Sequence, residues 1–378
     1  MFNLPEFNIL TISILATLSL LLVIQLYYLW VIFGRLAFRK HKMQLNGNPE
    51  LPPVSVVICA HNEYLNLEKN LPEILGQDYP HFEVVVVNDC SDDGSDELLM
   101  DMARTDNRLK VINLTQNLNF FQGKKFPLSV GIKSAHYEHL LLTDADCRPA
   151  GNQWISTIIR RYVPGVEIVI GYSPYERHNT FLNLLIRFDT LQSGMLYISR
   201  ALAGKPYMGV GRNLSYLRTV FMRNKGFTSH YTVPSGDDDL FISQVATRQN
   251  SVVEFGSAAQ VISKPKTTFS QWVRQKRRHL GAGQYYKTGV KFFLGTYSAT
   301  ILLFYLAVAA AFWALPYYFA TAALAIRLIS QFIVFARASK RLSDPYPLLL
   351  LPFIELFLTI FIPLLLVVNR FVKPNKWM

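Results

Sequence analysis

Cysteine is scarce: Cys59, Cys90 and Cys147 are the three in 378 residues. They are widely spaced and form no CxxC pair, so they read as reduced thiols rather than a disulfide framework. No internal repeat is present. Acidic residues are also few, 26 Asp and Glu against 38 Lys and Arg, for a net charge of +12. That charge invites a nucleic-acid reading, but no nucleic-acid module is visible. Several of the basic residues stand beside apolar runs, where they would meet anionic lipid head groups. Nothing basic precedes the first apolar run, which is too long for a cleavable signal peptide.

Apolar residues are abundant, 51% of the chain, with a mean hydropathy of +0.19. That is too apolar for an ordinary soluble domain and too polar for a pure membrane bundle. The run from Ile9 to Phe33 is long enough to cross a bilayer. Arg35, Arg39, Lys40 and Lys42 follow it. By the positive-inside rule they place the N-terminus outside and the middle domain in the cytoplasm of an inner-membrane protein. Three more spans are expected near 293–314, 317–336 and 347–369, with Pro316 between the first two. Arg337, Lys340 and Arg341 would form a cytoplasmic loop, and Arg327 would lie within a span, facing other helices or an interface. The expected parts are an N-terminal anchor (1–45), a soluble domain long enough for its own core (52–285) and about three C-terminal helices (290–378). With about four spans and a mostly soluble chain, a transporter is a poor reading.

The middle domain alternates. "VSVVICA" (Val54 to Ala60) and "FEVVVVND" (Phe82 to Asp89) read as buried parallel strands, "LKVINL" as a short third and "HLLLTDAD" as a fourth. Helical spacing lies between them, including Leu65, Leu67, Leu71, Ile74 and Leu75. Strand–helix alternation predicts an open α/β sheet, with ligands at the carboxyl ends of its strands. His61, Asn62 and Glu63 follow the first strand, Asp89 ends the second, and Asp144 and Asp146 end the fourth. Any one of these acids could be a turn former or helix cap. Their gathering at one sheet edge points to function.

Asp144 and Asp146, two residues apart, suit a hard divalent cation such as Mg²⁺ or Mn²⁺ that bridges to substrate phosphates. Asp237, Asp238 and Asp239 open a predicted helix (Leu240 to Thr247). They decorate its N-terminus or supply a general base. In "FSQWVRQKRRHLGAG", Gln275, Arg278 and His279 share one helix face. Arg278 could meet a diphosphate; the helix could equally lie on anionic lipid. "RHNTFLNLLIRFDTLQSGMLY" (Arg177 to Tyr197) reads either as a membrane-surface helix or as a core-facing one.

"VVICAHNE", "VVVVNDCSDDGS", "GKKFPLSVGI", "LLLTDADCRP", "GVGRNLSYLR", "SGDDDLF" and "QKRRH" stand in the order and spacing of membrane-bound family 2 glycosyltransferases, which the chain resembles over residues 52–285. The resemblance implies a GT-A fold, a Rossmann-like mixed α/β sheet, and inverting transfer from a nucleotide-diphosphate sugar. Carried over, it places Ala60, Glu63, Asp89, Lys124, Asp144, Gln275 and Arg278 on the nucleotide sugar. Asp144 and Asp146 fall on the metal, Asp237 or its close rival Asp238 takes the role of base, and Gly211, Asn213 and His279 lie on the acceptor side. This sequence departs from the family pattern at His61, at Asn88, which replaces the first of two acids, and at His279, which replaces the tryptophan of the QxxRW motif and weakens a processive reading.

The implied acceptor is a lipid or lipid-linked glycan at the membrane, with no nucleic acid as partner. The alternatives are a processive polysaccharide synthase and an inactive membrane scaffold for glycan assembly.

Overall fold

The computed structural model describes residues 8–39, 51–115 and 123–371. Lys40 and Lys42, on which the expected orientation partly rests, fall outside them. The chain divides into two compact units, one of residues 8–39 with 287–371 and one of residues 51–286.

The first unit is helical and apolar. Ile9–Leu26 continues through a π-helical stretch, Tyr27–Phe33, into Gly34–Ala37. Thr288–Ala314, Tyr317–Arg341 and Leu351–Phe371 complete it, the last preceded by a 3₁₀ turn at Leu348–Leu350. Among the described residues, four helices are long and apolar enough to cross a membrane. Pro316 does separate two of them, since its missing N–H and fixed φ suit a helix start. Arg337, Lys340 and Arg341, expected in a loop, instead form the last turns of the helix Tyr317–Arg341. Arg327 faces other helices and is fully buried.

The second unit is a mixed α/β layer structure. Its strands are β1 (Val54–Ala60), β2 (Phe82–Asp89), β3 (Leu109–Leu114), β4 (His139–Asp144), β5 (Cys147–Pro149), β6 (Ile168–Gly171), β7 (Leu214–Leu217), β8 (Ser251–Glu254) and β9 (Val261–Ser263). Its α-helices are α1 (Tyr64–Leu75), α2 (Ser95–Thr105), α3 (Lys125–Ser134), α4 (Trp154–Ile159), α5 (Phe181–Leu202), α6 (Arg218–Arg223), α7 (Asp239–Val245) and α8 (Phe269–Gly283). The main sheet has the order β3-β2-β1-β4-β7-β6-β8, and β5 pairs with β9 separately. The first four of these neighbours are parallel, while β7 runs antiparallel to both β4 and β6.

The central strands are mostly apolar because helices cover both faces; all seven residues of β1, Ser55 included, are buried. Gly131 on α3 lets that helix approach closely, since a Cβ there would come within 2.7 Å of Val57 and 3.0 Å of Val87. Leu65, counted above with the apolar face of α1, is exposed, whereas Leu67, Leu71, Ile74 and Leu75 join the core. From Phe181 on, the segment 177–197 belongs to a core-facing helix: Leu185, Ile186, Phe188, Leu191, Met195 and Tyr197 of α5 are all buried.

Register sets the site. Ala60 pairs with Asn88, and Cys59 with Asp144. The last residues of three adjacent parallel strands, Ala60, Asp89 and Asp144, therefore stand at one carboxyl edge.

Candidate active site

The loops after β1 and β2 are laced together. Asn62, in the left-handed region with φ 55°, donates its N–H to Ser91 Oγ at 2.9 Å, and its Oδ1 accepts from the N–H of Asp92 at 2.9 Å. Asp93 accepts from the N–H of Tyr64 at 2.9 Å, so this acid serves the start of α1 rather than a ligand. Asn88, the departure from the family pattern, is a buried amide bonded to Asn113 Oδ1 at 3.1 Å. Asp89 makes no hydrogen bond through its carboxylate among the described residues. Burial raises its pKa, against a nearby His61.

Asp144 and Asp146 come together as expected. With the buried Cys147 they offer three ligand atoms within 4.8 Å of one another. The Cys147 thiol donates to Asp146 Oδ1 at 3.2 Å, which leaves two hard carboxylates as the donor set and fits Mg²⁺ or Mn²⁺. Lys124, just before α3, forms an ion pair with Asp144. Burial disfavours a charge on Asp144, but Lys124, with Arg212 and Arg278 beyond it, outweighs burial and holds this carboxyl below its usual range. Asp146 moves the other way, raised by burial and by Asp144. Burial likewise raises half-buried Glu63, which lies within electrostatic reach of both acids. Desolvation works against the Lys124 charge, yet Asp144 and Asp237 together lift its pKa above the lysine range. Lys124 therefore links the candidate metal ligands to the acidic triplet.

The three aspartates of that triplet have different surroundings. Asp238 caps α7: its Oδ1 accepts from the Asp239 N–H and its Oδ2 from the Gly211 N–H, both at 2.7 Å. Asp239 accepts from Tyr286 Oη at 2.6 Å and from the Leu240 N–H at 2.7 Å. Burial, with the charges of Asp237 and Asp239, pushes Asp238 up to about 8, and burial pushes Asp239 up to about 6. Asp237 has no hydrogen bond among the described residues. The loop before it is fixed by Lys125 Nζ, which donates to the carbonyls of His230 at 2.5 Å and Val233 at 2.9 Å. Ser235 Oγ also donates to the Arg278 carbonyl at 3.1 Å.

On α8, Gln275 donates to Tyr175 Oη at 3.3 Å, and Arg278 keeps a buried Nε with no hydrogen-bond partner. His279 is exposed. Gly211 sits against Asp238, but Asn213, expected on the acceptor side, is committed to the core. Its amide donates to the carbonyls of Tyr172 at 2.7 Å and Ala259 at 2.8 Å and accepts from Trp154 Nε1 at 3.0 Å. With those groups satisfied and none of its surface exposed, it has nothing left to offer a substrate. Arg212, between these two residues, is the one whose charge acts on Asp144 and Asp146.

Carboxylates and a lysine gather at the carboxyl edge of a mixed α/β sheet of the GT-A type. Residues 55–223 match the family described as "Glycosyl transferase family 2". Among curated relatives, the chain is 31% identical over 143 residues to a probable glycosyltransferase of Bacillus subtilis, YdaM; the match covers 35% of this chain and 33% of the relative. It is 28% identical over 109 residues to a poly-beta-1,6-N-acetyl-D-glucosamine synthase of Staphylococcus epidermidis, covering 29% of this chain and 25% of the relative. The matches thus span a third or less of these relatives' lengths. The fold is also that of the mannosyltransferase PcManGT from Pyrobaculum calidifontis, solved in complex with GDP-Man and Mn²⁺. That likeness has a TM-score of 0.62 at 19% identity, over 96% of this chain and 100% of that one.

Proposed function

We propose that this protein is a membrane-embedded inverting glycosyltransferase that moves a sugar from a nucleotide-diphosphate donor to a lipid or lipid-linked glycan acceptor, with its α/β unit in the cytoplasm. The observation that carries the reading is one electrostatic cluster: Lys124 between Asp144 and Asp237, at the edge where three strands end. Asp144 and Asp146 would hold Mg²⁺ or Mn²⁺, which when bound neutralises charge developing on the diphosphate leaving group. Ala60, Glu63 and Asp89 line the nucleotide end.

Asp237 is the base, since Asp238 and Asp239 are already engaged by N–H and hydroxyl donors. Its carboxylate takes the proton from the acceptor hydroxyl, and the oxygen attacks the anomeric carbon in line. Lys124 and Arg278 stabilise the departing diphosphate. No covalent enzyme intermediate is needed, and the anomeric configuration inverts. Gly211 and His279 lie on the acceptor side of this scheme.

A processive polysaccharide synthase is the second reading, favoured by the named activity of the staphylococcal relatives. The test is nucleotide-diphosphate release by the purified, detergent-solubilised chain across UDP-, GDP- and dTDP-sugars, with Mg²⁺ or Mn²⁺ and then EDTA. Metal-dependent release from one donor, with product extracted into organic solvent, supports a lipid acceptor. Polymer in the aqueous phase supports the synthase. Silence with every donor, membrane lipid added, overturns the transferase reading.

A further inference from the structure

Arg212 lies outside the expected site residues, yet it is fixed in place beside them. Nη1 donates to Tyr175 Oη at 2.8 Å and Nη2 to the Ser173 carbonyl at 3.1 Å. The guanidinium carbon stands 4.4 Å from the centroid of the Tyr175 ring. All of these partners are neutral, and Arg212 makes no ion pair among the described residues. Its Nε is buried and has no hydrogen-bond partner, as is also true of Arg278. The Tyr175 hydroxyl that accepts from Arg212 accepts from Gln275 as well. One tyrosine thus joins the turn after Val210 to the α8 face that carries Arg278.

A neutral donor would serve Tyr175 and Ser173 equally well, so those bonds do not account for the charge. A mostly buried guanidinium that touches no carboxylate, and feels Asp144 only from beyond ion-pair distance, costs stability until an anion arrives. Two arginines with unanswered Nε–H groups, one of them held in place by Tyr175 and Ser173, suit a phosphate-type anion, which they can meet with charge-assisted hydrogen bonds.

We propose that Arg212 is a further contact for the donor's diphosphate, positioned by Tyr175, which ties it to Gln275. The assignment rests on the glycosyltransferase reading above.

The test uses the full chain in detergent, with dissociation constants for inorganic pyrophosphate, UDP and GDP measured calorimetrically in the presence of Mn²⁺. Arg212→Ala is expected to weaken binding roughly tenfold to a hundredfold, the worth of a hydrogen bond to a charged group. Arg212→Lys recovers part of that loss by keeping the charge without the fork. Tyr175→Phe, which keeps the ring and removes the hydroxyl, weakens binding several-fold. In turnover assays these losses appear in the donor KM. Melting temperatures accompany each variant; should Arg212→Ala fail to fold, Arg212→Lys and Tyr175→Phe decide. Wild-type affinity in folded variants overturns the assignment while leaving the transferase reading intact. A rise in acceptor KM alone also overturns it, by moving the anion to the acceptor. A wild-type chain that binds none of the three probes overturns both readings.

Discussion

Arg327 in the helical unit and Arg278 in the α/β unit are both arginines with buried nitrogen, and their surroundings are opposite. Every guanidinium nitrogen of Arg327 is answered. Nη2 donates to Glu355 Oε2 at 2.5 Å, Nη1 to Tyr305 Oη at 3.1 Å and Gln331 Oε1 at 3.2 Å, and Nε to Gln25 Oε1 at 3.4 Å. Those partners come from all four long helices, and both charges of the pair are 1% exposed at the side chain. Arg278 has an unanswered Nε and no ion pair among the described residues. Asp237 has no hydrogen bond among the described residues either. A network that answers every nitrogen of its arginine, with the Gln331 amide nitrogen alone left over, holds helices in register. An open one leaves bonding capacity to be filled by something the chain does not contain, and buried groups left that way cost stability.

The largest effect should come from the open side. Asp237→Asn is expected to cut turnover by roughly 10²- to 10⁴-fold, the range for loss of a general base. Near pH 5, where Asp238 and Asp239 keep their protons, the melting temperature should stay put, because the Asp237 carboxylate accepts no hydrogen bond that holds the loop. Nucleotide-diphosphate release paired with a thermal melt checks this; a large drop in stability would make Asp237 structural. The closed side should behave in reverse. Glu355→Ala strands the Arg327 charge and is expected to cost about 3–5 kcal/mol in a detergent unfolding series. Replacing the pair together, Arg327→Met with Glu355→Leu, should restore most of that loss. A single variant as stable as the parent would refute the closed network.

The comparison also separates what the sequence announces from what it hides. Strands β1 to β4 are legible because strands covered on both faces run as unbroken apolar segments, and acids after them stand out. Strands β5 to β9 have three or four residues each, too few for a period to declare itself, and the antiparallel β7 breaks the alternation that a βαβ pattern leads one to expect. Asp144, Asp146 and Lys124 are visible as motif residues. Arg212 stands inside the GVGRNLSYLR segment, but the resemblance carries over only its neighbours Gly211 and Asn213, and its bond to Tyr175 joins residues 37 apart in sequence. Asn213 shows the opposite error: a motif marks a segment, and the direction of each side chain within it depends on neighbours such as Trp154 and Ala259. Asn213→Ala should accordingly cost about 1–3 kcal/mol by leaving those carbonyls and the indole N–H unpaired. Pyrophosphate affinity in the same variant should not change; a selective loss of affinity would return Asn213 to the site.

The last effect is a pH dependence, expected where answered and unanswered groups meet, in the acidic triplet. Asp238 and Asp239 have folded pKa values of about 8 and about 6, above the carboxylate value near ~4 of an unfolded chain. Between these values the folded state keeps protons that the unfolded state has released. Stability from this source is therefore complete below about pH 4 and is lost as pH rises towards 8. Asp238→Asn removes one of the two ionisations while its amide oxygen still accepts from a backbone N–H. The fall in melting temperature between pH 5 and 8 should become shallower in this variant. Asp237→Asn should flatten it too, more weakly, because it deletes a charge that raises Asp238 without touching the cap. An unchanged slope in both variants would mean that the triplet ionises freely in the folded chain. Asp238 would then be as available for proton transfer as Asp237, and the hydrogen bonds to Gly211 and Asp239 would no longer tell the base from the cap.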